Sequence, residues 1–133
     1  MTSAYLVDTH ILLWALNDPD RLPARVLVVL RDPEVEVFFS PVSLWEVAVK
    51  HSLGKIDLAG HSPEELLAVT LESGLLPLEV TAQVCASSQR LPRRHKDPFD
   101  RLIVWQAIQS GIALLSADQA LGAYVEDGLS LVG

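Results

Sequence analysis

Short runs of β-forming residues alternate with longer helical patterns along almost the whole chain. The runs with strand character cover residues 4–7, 35–40, 75–80, 112–116 and, more weakly, 129–132. The helical patterns cover residues 9–16, 23–31, 43–53, 63–73, 81–89, 98–110 and 119–124. Parallel strands need crossover connections of this kind, so the alternation predicts a parallel sheet with helices on both faces. We expect an α/β fold, a three-layer α/β/α arrangement with a central parallel sheet of four to five strands.

Length and composition favour a single domain spanning residues 1–133, because repeats, low-complexity tracts and linkers are absent from the sequence. Cys85 is the only cysteine, which excludes an intramolecular disulfide and suggests a reducing compartment. We expect Cys85 to be a small core residue rather than a nucleophile. No basic segment precedes an apolar run at the N-terminus, and no stretch approaches the ~20 apolar residues of a membrane span. These features predict a soluble, cytoplasmic protein without a membrane partner.

Four carboxylates stand where predicted strands stop or predicted helices begin. Asp8 directly follows a predicted strand, and Asp118 follows another after one intervening residue. Glu46 follows a third strand after one short turn, and Asp100 lies in the first turn of its helix. Ligands of open parallel sheets gather outside the carboxyl ends of the strands. Carboxylates that converge there repel one another unless a cation lies between them. The placement therefore predicts a divalent-metal site.

Helix capping is the alternative explanation for such acids, since helix N-termini favour carboxylates for structural reasons. Ser62 and Glu65 form the pattern of a capping box, so Glu65 is assigned no chemistry. Ser43 and Glu46 have the same spacing, and in isolation Glu46 is better explained as a cap partner. Asp97 is expected to cap the helix that begins at residue 98. Only the four acids taken together favour a metal site over capping.

The net charge of -7 disfavours a general polyanion-binding surface. The basic residues are nevertheless clustered, because five of the ten Lys and Arg fall between residues 90 and 101. Standing alone, this strip is better explained as a solvated loop. The four histidines show no zinc-binding spacing, and the three tryptophans lie in apolar helical stretches that favour roles as core anchors.

Four segments of the chain together resemble the PIN-domain ribonucleases, and among them the VapC toxins of type II toxin-antitoxin pairs. The segments are L-V-D-T-H at residues 6–10, S-L-W-E-V-A-V-K at 43–50, H-K-D-P-F-D-R-L-I at 95–103 and L-S-A-D at 115–118. They occur in the expected order and span essentially the whole chain. The D-P-F-D-R and S-L-W-E segments are the specific ones, whereas D-T-H and S-A-D are weak by themselves.

The resemblance implies a Mg²⁺-dependent endoribonuclease, with Mn²⁺ as a possible substitute. Asp8, Glu46, Asp100 and Asp118 match the family's acidic quartet and would be both catalytic residues and metal ligands. Asp97 and Ser116 would contact these ligands without contacting the metal themselves. A cognate antitoxin and a homodimer are further expectations, and the apolar fraction of 50% is consistent with a covered surface. The candidates for binding RNA phosphates are Arg93, Arg94, Lys96 and Arg101.

Two other functions remain open on the sequence alone. A phosphatase or phosphoacceptor domain also gathers aspartates and Mg²⁺ at strand ends, but a phosphatase typically needs D-x-D after the first strand, and His10 stands in the third place here. A non-catalytic module that keeps only the fold is the second alternative. The four intact acids argue against that alternative.

Overall fold

The computed structural model describes residues 3–133 and confirms the three-layer α/β/α fold. One sheet of five strands, all parallel, has the order β3-β2-β1-β4-β5. The strands are β1 (Ala4–Val7), β2 (Glu36–Phe39), β3 (Leu76–Pro77), β4 (Ala113–Leu115) and β5 (Leu131–Val132). The chain first builds one side of the sheet from β1 to β3 and then crosses β1 to add β4. Strand order therefore reverses between β1 and β4, which is where open α/β sheets bind ligands.

Six α-helices connect the strands, and the sequence located them within a few residues. They are α1 (Thr9–Asn17), α2 (Ala24–Leu30), α3 (Pro41–Ser52), α4 (Pro63–Glu72), α5 (Ala82–Ser87) and α6 (Pro98–Ser110). The last predicted helix is instead a 3₁₀ segment, Gln119–Asp127, and shorter 3₁₀ turns are Pro19–Arg21 and Ser88–Arg90. None of the helices in residues 3–133 combines the length and apolar character needed to cross a membrane.

The alternation of side chains along the strands divides the core between the two faces of the sheet. Leu6 and Leu114 point to one face, where they pack in a cluster with residues of α6. Their strand neighbours Val7 and Leu115 point to the other face and pack with residues of α1 and α2. Successive strand residues face opposite sides, so both faces need helical cover. The central strands β1 and β4 are thereby buried on both sides, as the three-layer prediction required.

Two predictions about the core were wrong. Cys85 is exposed on α5, a helix of six residues whose side chains are at best partly buried. Of the tryptophans, Trp105 is a core residue, but the Trp45 side chain is 62% exposed and lies edge-on to the ring of Phe99. The apolar pattern of α3 suggested burial, yet neighbouring elements cover only the opposite side of that helix, at Val42, Glu46 and Val47.

Candidate metal centre

Asp8 and Asp118 reach the same edge of the sheet from neighbouring strands. Parallel pairing of β1 with β4 places Val7 beside Leu115, and the backbone N–H of Asp8 donates to the Leu115 carbonyl over 3.1 Å. Asp118 follows three residues later and begins the 3₁₀ segment, where its Oδ1 accepts a hydrogen bond from the Ala120 N–H at 3.0 Å. The reversal of strand order thus brings the two acids to one crevice.

Asp8 is a buried carboxylate, only 3% exposed, at the N-terminus of α1. Its Oδ1 accepts a hydrogen bond from the Ile11 N–H at 2.8 Å, so it caps the helix as well as facing the crevice. Burial raises the pKa of Asp8, and hydrogen bonds from Ser116 and Ile11 offset part of that effect. The negative charge of Asp118 raises the pKa further. The charge of His10 acts in the opposite direction and lowers the pKa of Asp8.

Asp100 reaches the crevice from the first turn of α6. The pKa of Asp100 is raised to about 6, chiefly by burial and further by the charges of Asp97, Glu46 and Asp8, whereas the charge of His95 lowers it. Donor atoms of Asp100, Asp118 and His95 all lie within 4.8 Å of one another. Such a group of atoms is compact enough to surround one cation.

His95 is a member of this group that the sequence reasoning missed. Its Nε2 lies 3.1 Å from Asp118 Oδ2 and 3.9 Å from Asp100 Oδ2, and its Nδ1 accepts a hydrogen bond from the Asp97 N–H at 3.2 Å. The search for histidines considered only zinc-type spacings, and His95 satisfies none of them. Its place two residues before the cap of α6 was the available signal, because that places it beside Asp97 and near Asp100.

Glu46 is buried in the second turn of α3, and the capping interpretation of this residue was wrong. Ser40, not Ser43, caps α3 by accepting a hydrogen bond from the Val42 N–H. Glu46 Oε1 instead accepts a hydrogen bond from Thr9 Oγ1 at 2.6 Å, and its Oε2 pairs with Lys50 Nζ at 2.5 Å. Lys50 is a second residue of the site that the sequence reasoning missed, although its spacing of four residues from Glu46 was visible in the sequence.

Asp97 and Ser116 lie behind the acids of the crevice. Asp97 Oδ1 accepts hydrogen bonds from the N–H groups of Phe99 and Asp100, which caps α6 as the sequence predicted. The Ser116 hydroxyl accepts a hydrogen bond from the Asp118 N–H at 3.0 Å, and its proximity to Asp8 lowers the pKa of that carboxyl. Asp97 thus holds the backbone of Asp100 in place, and Ser116 does the same for Asp118.

The four basic residues considered for RNA binding fall into two pairs. Arg94 forms ion pairs with Glu126 and Asp127, and Arg101 donates to the carbonyls of Leu91 and Pro92. The other pair, Arg93 and Lys96, is exposed to solvent. Among residues 3–133, the side chains of Arg94 and Arg101 are bound to other parts of the protein, whereas those of Arg93 and Lys96 are not.

The donor set of the crevice fits a hard divalent cation. Asp8 and Asp100 have raised pKa values, caused by burial and by neighbouring negative charge. A bound divalent cation would relieve both effects, and carboxylate oxygens are the ligands that Mg²⁺ and Mn²⁺ prefer. Among residues 3–133, Asp100, Asp118 and His95 have donor atoms close enough to hold such a cation directly. Asp8 lies outside this group of atoms, although its charge acts on Asp100 and it lines the same crevice as Asp118.

Solved structures with the same fold include chains of toxin-antitoxin complexes. VapBC2 of Rickettsia felis, bound to a promoter DNA fragment, matches with a TM-score of 0.71 at 17% identity over 97% of both chains. DNA-bound VapBC of Salmonella typhimurium matches with a TM-score of 0.69 at 17% identity, over 99% of this chain and 98% of that one. VapBC-1 of nontypeable Haemophilus influenzae gives 0.66 at 17% identity, over 97% and 96%.

Sequence comparison gives the family more directly. No curated protein matches the chain. The family model of the PIN domain, however, matches residues 5–126, which include every acid of the crevice. This match covers far more than half of the 133 residues. The chain belongs to the PIN-domain family.

Proposed function

We propose that the protein is a Mg²⁺-dependent endoribonuclease that acts in the cytoplasm as the toxin of a type II toxin-antitoxin pair. The observation that carries this proposal is the group formed by Asp100, Asp118 and His95 at the reversal of strand order, with the charge of Asp8 acting on Asp100. Carboxylates with raised pKa values at such a crevice form a site for a divalent cation rather than a solvated surface. Membership of the PIN-domain family supports nuclease chemistry at this site.

A bound Mg²⁺ would supply Lewis-acid polarisation of the scissile phosphate and a lowered pKa for the attacking water. Asp8 and Asp100 would be its principal ligands, and Asp118 would complete the set. His95 holds Asp118 in place through the contact at Oδ2. Glu46 takes part through the orientation of Thr9 and Lys50, which it bonds directly.

The substrate would be held by positive charge beside the acidic crevice. Arg93 and Lys96 flank His95 in the loop before α6 and are exposed, so their charges can reach phosphates of an RNA strand. Arg94 and Arg101 would contribute indirectly, because their guanidinium groups hold this loop to Asp127 and to backbone carbonyls. The overall charge of -7 disfavours the approach of a nucleic acid, and a local basic strip would offset this repulsion.

An antitoxin and a second copy of the chain are the proposed partners. The structures with the same fold are of VapBC complexes, which supports an antitoxin partner for this chain as well. Large apolar side chains that the single chain leaves exposed, such as Val28, Trp45 and Leu53, support further protein contacts. An antitoxin segment with a basic side chain would complement the acidic crevice.

Cleavage of RNA by the purified, antitoxin-free protein tests the proposal. We expect cleavage with Mg²⁺, loss of cleavage with EDTA, and a loss of at least about 100-fold in the Asp8→Asn variant. Asp20→Asn, which makes the same change of charge at an exposed position, is the matched control and should cleave like the wild type. Folding of both variants is checked by circular dichroism. Failure of the wild type to cleave several RNAs in Mg²⁺ or Mn²⁺ would favour a non-catalytic module.

A further inference from the structure

Glu46 differs from the other acids of the site in its immediate partners. Its side chain is 2% exposed, and each oxygen has a partner on the protein: Oε1 accepts from Thr9 Oγ1, and Oε2 pairs with Lys50 Nζ. Asp100, by contrast, has its ion-pair contact within residues 3–133 with His95, at 3.9 Å. The charge of Glu46 is thus balanced by the ammonium of Lys50, whereas Asp100 has no lysine or arginine partner among residues 3–133.

The ammonium of Lys50, whose side chain is 29% exposed, lies beside two of the acids. Besides Glu46, it lies 4.0 Å from Asp97 Oδ2, and it sits over the ring of Phe99 at 5.8 Å from the centroid. The charge of Asp100 also acts on it. The 2.5 Å contact between Lys50 Nζ and Glu46 Oε2 therefore places an ammonium group of the protein at the Glu46 side of the crevice.

Nucleases with two metal ions place them about 3.5–4 Å apart, so that carboxylates can bridge or flank both ions. Here one flank of the crevice, at Glu46 and Asp97, already contains a cation of protein origin. A divalent ion at Glu46 Oε2 would have to displace the ammonium, which makes a short, charge-assisted bond there.

We propose that Lys50 takes the place of a second divalent cation, so that the site binds a single metal ion at Asp8, Asp100 and Asp118 while Glu46 binds the ammonium. This inference rests on the metal site of the proposed function and assigns the number of ions it holds. Lys50 is then a positioning residue that keeps Glu46 and Asp97 apart from the metal. If Lys50 and Glu46 only stabilised α3 as an ion pair, Lys50→Met would lower the free energy of unfolding slightly and would leave metal binding almost unchanged.

Metal binding without RNA tests this inference, with Mn²⁺ as the probe and electron paramagnetic resonance or calorimetry as the readout. We expect one Mn²⁺ per chain for the wild type. Lys50→Met removes the charge but keeps the apolar stem, and we expect a second bound Mn²⁺ per chain in that variant. Lys50→Arg keeps the charge and should retain one ion. Lys55→Met, at an exposed lysine beyond the end of α3, is the matched control and should also retain one.

A second pair of variants tests the same inference from the side of the acids. Because Glu46 does not contact the metal in this arrangement, Glu46→Gln should bind one Mn²⁺ with an affinity within a few-fold of the wild type. Asp100→Asn should weaken binding by roughly tenfold or more. If circular dichroism shows that Lys50→Met does not fold, the Mn²⁺ affinities of Glu46→Gln and Asp100→Asn test the inference in its place.

Three results would overturn the inference. They are two ions bound to the wild type, an unchanged stoichiometry in a folded Lys50→Met variant, and a loss of affinity in Glu46→Gln as large as that in Asp100→Asn. Binding of no ion by the wild type would overturn this inference and the proposed function together. Binding of one ion without cleavage of any RNA would contradict the proposed function alone.

Discussion

The imidazole of His95 faces the carboxylate of Asp118, with 3.1 Å between Nε2 and Oδ2. The Asp97 N–H donates to Nδ1 of the same ring, which leaves Nε2 as the ring nitrogen that can donate a hydrogen bond to Asp118. Asp118 is thereby oriented from two sides, because its Oδ1 accepts the Ala120 N–H. One side chain from the loop before α6 thus fixes an acid that follows β4.

Replacement of His95 by alanine should weaken the metal site without unfolding the protein. Loss of a residue that orients a metal ligand typically costs about 10–100-fold in affinity or activity, and we expect this range for RNA cleavage and for Mn²⁺ binding. His61→Ala is the matched control, because His61 is exposed and pairs with Glu65 away from the crevice. Equal cleavage rates in the two variants would show that His95 does not support Asp118 in the active protein.

The raised pKa of Asp100 predicts how the stability of the metal-free protein depends on pH. The pKa is about 6 in the folded chain and near 3.8 in the unfolded chain, so the folded state binds more protons between these values. The free energy of unfolding should therefore fall as pH rises from about 4 to about 6, by at most about 3 kcal/mol from this group. Urea unfolding in EDTA at pH 4.5 and at pH 7 measures the difference.

The control for this pH effect is Asp100→Asn. Its free energy of unfolding should decrease less as pH rises, and the decrease that remains is due to Asp8, whose pKa is also raised. Mg²⁺ should stabilise the wild type more at pH 7 than at pH 4.5, because protons compete with the metal for the same oxygens. If the wild type and Asp100→Asn showed the same slope with pH, the carboxyl of Asp100 would not be buried among other acids in solution.

The sequence predicted those parts of the fold that depend on local signals. Helix α6 has its predicted bounds because Asp97 caps its start, Pro98 occupies its first position, and Gly111 ends it at a positive φ of 68°. The order of the strands is not a local property. It depends on which side of β1 receives β4, and that choice is made by packing across the whole sheet.

The site shows the same division between local and long-range information. The four acids were located by their positions relative to strands and helices, which are local. His95 and Asp118 are 23 residues apart, and their contact depends on the path of the loop before α6. The burial of Glu46 likewise depends on Thr9, a residue 37 positions away. Spacing could therefore place candidate acids at one edge of the sheet, whereas it could not show which side chains each of them contacts.

The exposed basic pair predicts a change in the salt dependence of RNA binding. Replacing both Arg93 and Lys96 by alanine should weaken binding of a cleavage-deficient Asp8→Asn protein. It should also reduce the slope of log affinity against log salt, by up to about 1 for each phosphate that no longer meets a positive charge. The matched control replaces Arg25 and Arg31, two exposed arginines in and after α2. An unchanged slope would mean that this strip is a solvated loop.

Arg101 should behave differently from Arg93, because its guanidinium binds the protein itself. It donates to the Leu91 and Pro92 carbonyls and to the Tyr124 hydroxyl, which lie 3.2, 2.9 and 3.1 Å away. Arg101→Met leaves these acceptors without their donor and should lower the free energy of unfolding by about 1–3 kcal/mol. In the Asp8→Asn background it should also leave the salt dependence of RNA binding unchanged.

Tyr124→Phe provides a companion to Arg101→Met, because the Tyr124 hydroxyl also accepts the N–H groups of Arg94 and His95, at 3.1 and 3.0 Å. Loss of this hydroxyl frees the loop that positions His95, so both variants should cleave RNA more slowly and unfold at lower urea concentrations than the wild type. Urea unfolding and the salt dependence of RNA binding separate the two roles of Arg101. A flatter salt dependence with unchanged stability in Arg101→Met would instead make this residue a phosphate contact.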